Sequence, residues 1–302
     1  MTRSVFALMC ALFVAVSGNA RTPDGHPDLQ GIWDNSTVTP LERPKELAGQ
    51  AFFTEEEAAE YVKHGIDRFR EARGEVEVQT NGEINGIWSG PGRVGPNRRT
   101  SIIVEPPDGR LPPLTPDAQK RVAARADARK QHPFDGPEDL TLGERCIMWG
   151  AGLPMLPTPQ NSILQIVQTR DHVMIVNEMI HDARAIPLDG RPHLPPTIRQ
   201  LKGDPRGHWE GDTLVVDTTN FSDKTELRGT TAARHVVERF TLTDAETILY
   251  QFTVDDPTSL THPWSGELSL KRSEDRIFEY ACHEANYSLP LILRGARAEE
   301  KR

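Results

Sequence analysis

The sequence predicts a mainly β protein, an antiparallel meander closing into a barrel, with two peripheral helices at 54–73 and 115–130. Three observations lead there. From residue 162 to the end, short apolar runs follow one another with turn residues between them. Within the later runs the alternation is regular: Ile248, Tyr250, Phe252 and Val254 share one wholly apolar face, the period of two that a half-buried strand needs. Eight or more such strands in succession favour closure, because a closed sheet leaves no edge to protect. A sandwich is the alternative.

The chain opens MTRSVFALMCALFVAVSGNA. Arg3 precedes a short apolar core, Val5–Val16, and small residues follow at 17–20, the pattern of a secretory signal peptide covering 1–20. The apolar run is short for a bilayer span; an N-terminal anchor helix is the alternative. Residues 21–302 are then read as a single barrel domain with helical insertions. Leu29–Asn35 reads as the first short strand. In the helix from Thr54 to Arg73, Thr54 caps the start and Glu57 completes a capping box. Acids crowd its first turn, and Ala58, Tyr61, Val62, Ile66 and Phe69 form its apolar stripe. It reads as a lid or plug. Strands at 83–89 and 99–106 flank a Gly/Pro loop. The second helix starts at Thr115-Pro116 and is rich in Ala and Arg, which places it at the periphery. Further strands are expected at about 162–168, 172–180, 183–188, 213–219, 234–243, 247–254, 265–272 and 276–282, with a short helix at 289–300.

The chain carries 44 acids against 35 Lys and Arg, a formal net charge of −9, and lacks a basic run. That argues against nucleic acid and against anionic membranes as partners, and nothing after residue 20 suggests membrane insertion. Cys10 falls in the leader, leaving Cys146 and Cys282. An even pair in an oxidising compartment suggests one disulfide, stabilising by about 4–5 kcal/mol through loop closure; two unpaired buried thiols are the alternative. The expected location is periplasmic or secreted.

Seven of the ten histidines lie between His172 and His283. Reading a continuous strand through 177–184 puts Glu178, Asp182 and Arg184 on one face and His181 on the other, unless a bulge intervenes. Such a carboxylate–guanidinium set serves either as a structural ion pair or as an oriented base with an anion-binding Arg. Asp189-Gly-Arg-Pro-His193 is a stiff turn presenting Arg191 and His193, either a site loop or a surface cap. His208 and Glu210 share a face of the strand leading into the turn at Gly211. His283 follows Cys282, where a disulfide would pin it. The candidate catalytic residues are therefore His181, Asp182, Arg184, His193, His208 and His283. Trp33, Trp88, Arg191, Glu178 and Glu210 are candidates for substrate binding. A divalent metal held by His181, His193, His208 and Asp182 is conceivable, but the spacings match no metal signature. The sequence contains no G-x-S-x-G, no G-x-G-x-x-G preceding a helix, no P-loop and no C-x-x-C, so no organic cofactor is expected.

Five phrases, PDGHPDLQGIW (23–33), RRTSIIVEPPDGRLPPLTPDAQKR (98–121), EMIHDARAIPLDGRPHLPPTIRQ (178–200), GHWEGDTLVVDTTNF (207–221) and YACHEANY (280–287), resemble a family of secreted bacterial proteins. The resemblance spans most of the chain and implies a single module; it brings no catalytic residues with it. Separately, Gly31-Ile-Trp33 on a first strand, followed by the meander, resembles the lipocalins and implies a calycin-like barrel in which the Trp closes one end. Together these readings suggest a secreted β-barrel enzyme doing cofactor-independent acid–base chemistry (elimination, isomerisation or hydrolysis) on a small organic molecule. A lipocalin-like carrier of a small hydrophobic ligand is the first alternative, and a cell-envelope interaction protein the second.

Overall fold

The computed structural model describes residues 20–72, 92–149, 152–158, 161–225, 227–284 and 286–301. Its strands are β1 (Gly31–Asp34), β2 (Ile103–Glu105), β3 (Ile163–Gln168), β4 (His172–Asn177), β5 (Ala183–Pro187), β6 (Asp204–Glu210), β7 (Thr213–Thr219), β8 (His235–Asp244), β9 (Thr247–Asp255) and β10 (Trp264–Arg272). They form one antiparallel sheet in the order β5-β4-β3-β1-β10-β9-β8-β7-β6, with β2 added beside β10. The first strand thus sits in the middle, between β3 and β10. The ends of the sheet, β5 and β6, come alongside each other, so the sheet is nearly closed into a barrel.

Alternation builds the interior. Ile248, Tyr250, Phe252 and Val254 of β9 are all buried, as are Val236, Phe240 and Leu242 of β8, and they pack against Leu164, Ile166, Ile175, Ile186 and Val216 from the other walls. Two charged residues break the apolar rule on the inward face: Glu238 of β8, fully buried between Val236 and Phe240, and Arg184 of β5.

Where β5 meets β6 no ladder forms, and side chains must interlock instead. Gly207 makes the close approach, because a Cβ there would stand 2.6 Å from Leu188 Cδ2 and 2.8 Å from Ile186 Cγ2. At the end of the barrel carrying the β8–β9 turn, Trp33 is completely buried and donates from Nε1 to the Leu29 carbonyl at 3.0 Å. The Arg272 guanidinium lies over its ring, 4.4 Å from the centroid. Gly31, at φ +140°, leaves room for that guanidinium, since a Cβ would come within 2.4 Å of it. Trp33 is a plug packed under Arg272, with no surface left to touch a substrate.

The helices are α1 (Glu55–Ala72), α2 (Pro116–Gln131) and α3 (Ser288–Glu299). The capping box on α1 forms as expected, with Glu57 N–H donating to Thr54 Oγ1 at 3.2 Å and Thr54 N–H to Glu57 Oε2 at 2.8 Å. α2 buries only Ala118, which agrees with a peripheral helix.

Several boundaries differ from the sequence reading. The strand expected at 172–180 stops at Asn177, where a tight turn over 179–181 places Ile180 and His181 at positive φ. Glu178, Asp182 and Arg184 consequently do not share a face of one strand. Residues 276–282 form no strand; they run as an irregular segment held by the disulfide and by bonds to the β4–β5 hairpin. The strand at 99–106 shortens to Ile103–Glu105. The strand at 83–89 with Trp88, and the leader up to residue 19, lie outside the described residues. Cys146 and Cys282 are joined, closing a loop with a sequence separation of 136.

Replacing Gly207 with Val forces Ile186 and Leu188 aside at the seam, and the expected cost is about 1–3 kcal/mol. Urea denaturation checks this; a midpoint unchanged from wild type means the seam does not depend on that close approach.

Candidate functional site

The mouth of the barrel is the end opposite Trp33, where β1 leaves, β3 begins and the β4–β5 hairpin turns. A cleft of about 430 Å³ opens there. Its walls combine apolar groups, Met155, Leu156, Met179 and Leu227 among them, with polar ones that include Asn35, Asn161, Asn177 and Asp182. Volume and mixed lining fall in the range of small-molecule sites.

Charge is concentrated just behind this wall. Asp182, at the start of β5, pairs with the Lys202 ammonium, which also donates to the Ala183 carbonyl at 3.0 Å. Both side chains are largely buried. Burial lowers the Lys202 pKa from its usual value and outweighs the contrary pull of Asp182. Two residues on, Arg184 points into the barrel and forms a bidentate pair with Glu238 of β8, at 2.5 and 2.8 Å. Tyr250 of β9 donates its hydroxyl to Glu238 Oε1 at 2.7 Å and accepts from the Met155 N–H at 2.9 Å. Burial acts to lower the Arg184 pKa, but the charge and hydrogen bonds of Glu238 prevail and the net direction is upward. The Tyr250 hydroxyl is pushed well above its ordinary value by burial and then by Glu238. A charged network therefore runs from inside the barrel, through the Met155 amide, to the wall of the cleft.

Of the residues expected from sequence, Asp182 alone among the catalytic candidates lines this cleft. Arg184 lies beneath it. Glu178 is buried as a bracket: Oε1 accepts from Asn161 Nδ2 at 2.7 Å and Oε2 from the Phe278 N–H at 2.9 Å, tying the C-terminal segment to the hairpin. His181 turns away, its Nδ1 3.1 Å from the Tyr280 carbonyl oxygen and its ring 6.4 Å from that of His283. Those two histidines do meet, but on the exposed rim beside the disulfide. His208 and Glu210 pair at 3.1 Å on the outer surface of β6, and Arg239 joins them. Arg191 folds back on Asp189 within its own turn and is exposed.

His193 lies on the outer wall in a clasp. Its Nδ1 is 3.0 Å from Asp204 Oδ2 and its Nε2 3.0 Å from Asp217 Oδ1, while the other Asp217 oxygen is 2.8 Å from His235 Nε2. Arg206 adds a bond to Asp204 at 2.7 Å. The clasp fixes the loop after β5 against β6, β7 and β8. The three histidines of the conceivable metal set thus go to three separate places, and no group of three or more His, Cys, Asp or Glu able to hold a metal occurs among the described residues.

Sequence reasoning missed Glu238, Tyr250 and Lys202. Glu238 carried a usable signal: an acid alternating in register with Phe240 and Leu242 on an otherwise apolar face must be inside and must have a cation. Lys202 carried none, because it sits in a loop and reaches Asp182 only through the tertiary fold.

Two predictions follow from these networks. Arg184→Met strands the Glu238 charge in the interior and is expected to cost about 3–5 kcal/mol, whereas the double variant Arg184→Met/Glu238→Leu recovers most of that loss. Chemical denaturation of the three proteins decides it; a double variant no better than the single one contradicts the pairing. The clasp gives a pH dependence. The His235 pKa is raised above 6.5, first by its hydrogen bond to Asp217. The Asp217 pKa is lowered below 3.8, first by the same bond. The His235 contribution is complete below 6.5 and is lost as pH rises through the raised value; that of Asp217 is complete above 3.8 and is lost as pH falls through the lowered one. The melting temperature is therefore expected to fall as pH rises from about 6 to about 9, and Asp217→Asn to flatten that fall in calorimetry.

The Cys146–Cys282 disulfide fits a protein of an oxidising compartment, and no helix among the described residues is long and apolar enough to cross a membrane. No family model and no curated protein matches the chain, so the reading of the cleft stands on its own geometry.

Proposed function

We propose that the protein is an extracytoplasmic barrel enzyme that binds a small organic molecule in the mouth cleft and performs acid–base chemistry there without an organic cofactor. The observation that carries this reading is the Asp182–Lys202 pair: a carboxylate on the wall of a small-molecule cleft, backed by a buried ammonium whose pKa burial has lowered. A carboxylate so held is suited to take a proton from a bound molecule, and the ammonium beside it to return one, which describes isomerisation or elimination. Arg184 and Glu238 do not touch the cleft in this scheme; through Tyr250 and the Met155 amide they hold its wall in place.

A carrier of the lipocalin kind needs a deep apolar lumen. Here the barrel interior is filled by Phe240, Tyr250, Phe252 and Trp264 and crossed by the ion pair, which favours a shallow reactive mouth over a storage cavity. The outer histidines His193 and His208, and the rim pair His181 and His283, drop out of the catalytic set in this reading.

Incubating the purified protein with a metabolite extract and comparing mass spectra tests it. New products are expected with wild type. Asp182→Asn is expected to reduce their formation at least about 100-fold while the ligand still co-elutes. Activity is expected to fall on the alkaline side before the usual lysine range is reached, because the Lys202 pKa is lowered. A ligand that co-elutes unchanged with wild type supports the carrier instead, and undiminished turnover in Asp182→Asn removes the proposed base.

A further inference from the structure

The cleft wall has a chemical bias that proton transfer does not use. Three carboxamides lie on it, Asn35, Asn161 and Asn177, together with Ser162. Their donors are largely committed. Asn161 gives its N–H to Glu178 Oε1 at 2.7 Å, and Asn177 gives its own to the Asp182 carbonyl at 3.3 Å. These partners are pure acceptors, so the orientation of both amides is settled, and both amide oxygens are left without a donor among the described residues. Asn35 is buried, and its unpartnered Oδ1 is closed off from the cleft space.

The amide oxygens of Asn161 and Asn177, on one cleft, call for a ligand with O–H or N–H donors. The charges separate the two. Asp182 is neutralised by Lys202, while Arg228 adds a cation to the wall, so an ammonium ligand meets no net attraction. Carboxylates and phosphates, which only accept, face the amide oxygens unfavourably. Hydroxyl groups, each donor and acceptor at once, suit both the amides and Ser162. Trp149, 43 % exposed, lines the same cleft as Pro154 and Pro157, and an indole ring is a flat apolar surface of the kind that packs against the C–H face of a sugar ring.

We propose that the ligand of the mouth cleft is a neutral polyhydroxylated molecule, a saccharide unit, held by Asn161 and Asn177 and stacked on Trp149. This deepens the functional reading above and rests on the cleft being the ligand site.

Saturation-transfer NMR on the chain from residue 21 tests it. One panel contains glucose, galactose, N-acetylglucosamine and maltose; the other contains benzoate and butylamine, which lack hydroxyls. Transfer to the ring protons of at least one saccharide is expected. Its affinity should weaken about tenfold or more, roughly 1.4 kcal/mol, in Asn177→Leu and in Trp149→Ala. Asn177 anchors the hairpin, so Asn177→Leu counts only if its circular dichroism matches wild type; Trp149→Ala alters an exposed residue and keeps the test independent of folding. Benzoate or butylamine bound in a manner sensitive to Trp149→Ala, with no saccharide bound, overturns the saccharide assignment and leaves the cleft as the ligand site. Saccharide binding that survives both substitutions overturns the location. Binding of neither panel overturns the saccharide proposal, and the functional reading is then decided by the metabolite experiment alone.

Discussion

The bond between Arg184 and Glu238 is the constraint on which the rest of this molecule depends. A sheet whose two ends do not hydrogen-bond to each other needs some other means of closing, and this pair reaches across the interior from one end strand to a strand well inside the opposite half. An ion pair in an apolar interior is not a source of stability by itself, because desolvating two charges consumes most of what their attraction returns. Its value is in specificity. With both guanidinium N–H groups on one carboxylate, a slip of β5 by one residue would turn Arg184 outward and leave Glu238 unpaired. Tyr250 extends the same network to the Met155 amide, so the register of the barrel and the position of the cleft wall are set together.

The molecule uses charge differently inside and outside. Inside, Glu238 is saturated by Arg184 and Tyr250, out of reach of water. Outside, the chain of Asp204, His193, Asp217 and His235 holds a long loop against the sheet, and its partly solvated Asp217–His235 end responds to pH. The disulfide and the Glu178 bracket do a comparable task at the mouth, fastening the last segment of the chain over the β4–β5 hairpin. Most titratable groups in the polar stretch 178–210 are thus occupied in holding irregular backbone, and only a minority face the cleft.

How far the sequence reveals this can be argued element by element. The late strands were legible because β8, β9 and β10 alternate cleanly, and the capped helix because Thr54 and Glu57 carry a local signal that folding realises without help. The disulfide was legible from the parity of the cysteines. The hairpin at 178–182 was not, because Ile180 adopts a left-handed backbone that a β-branched residue resists, and tertiary packing overrides that preference. A continuous strand was the natural local reading, and it assigned wrong faces to Glu178, His181 and Asp182. The catalytic shortlist shared that weakness: closeness in sequence brought His181, His193 and His208 together on paper, whereas the period of two and the turn geometry send them to the rim, the outer clasp and the outer face of β6. Lys202, Asn35 and Asn161 reach the mouth from three distant segments, and such convergence leaves no trace in any local pattern.

The placement of β1 bears on how the chain is made. Its partners are β3 on one side and β10 on the other, so the earliest strand to leave the ribosome must wait for the last. Until Arg272 has emerged, β1 offers an open flank and Trp33 has no guanidinium to cover it. Maturation of this barrel is therefore post-translational by topology, and a truncation anywhere before that arginine should produce a sticky, incomplete sheet prone to association.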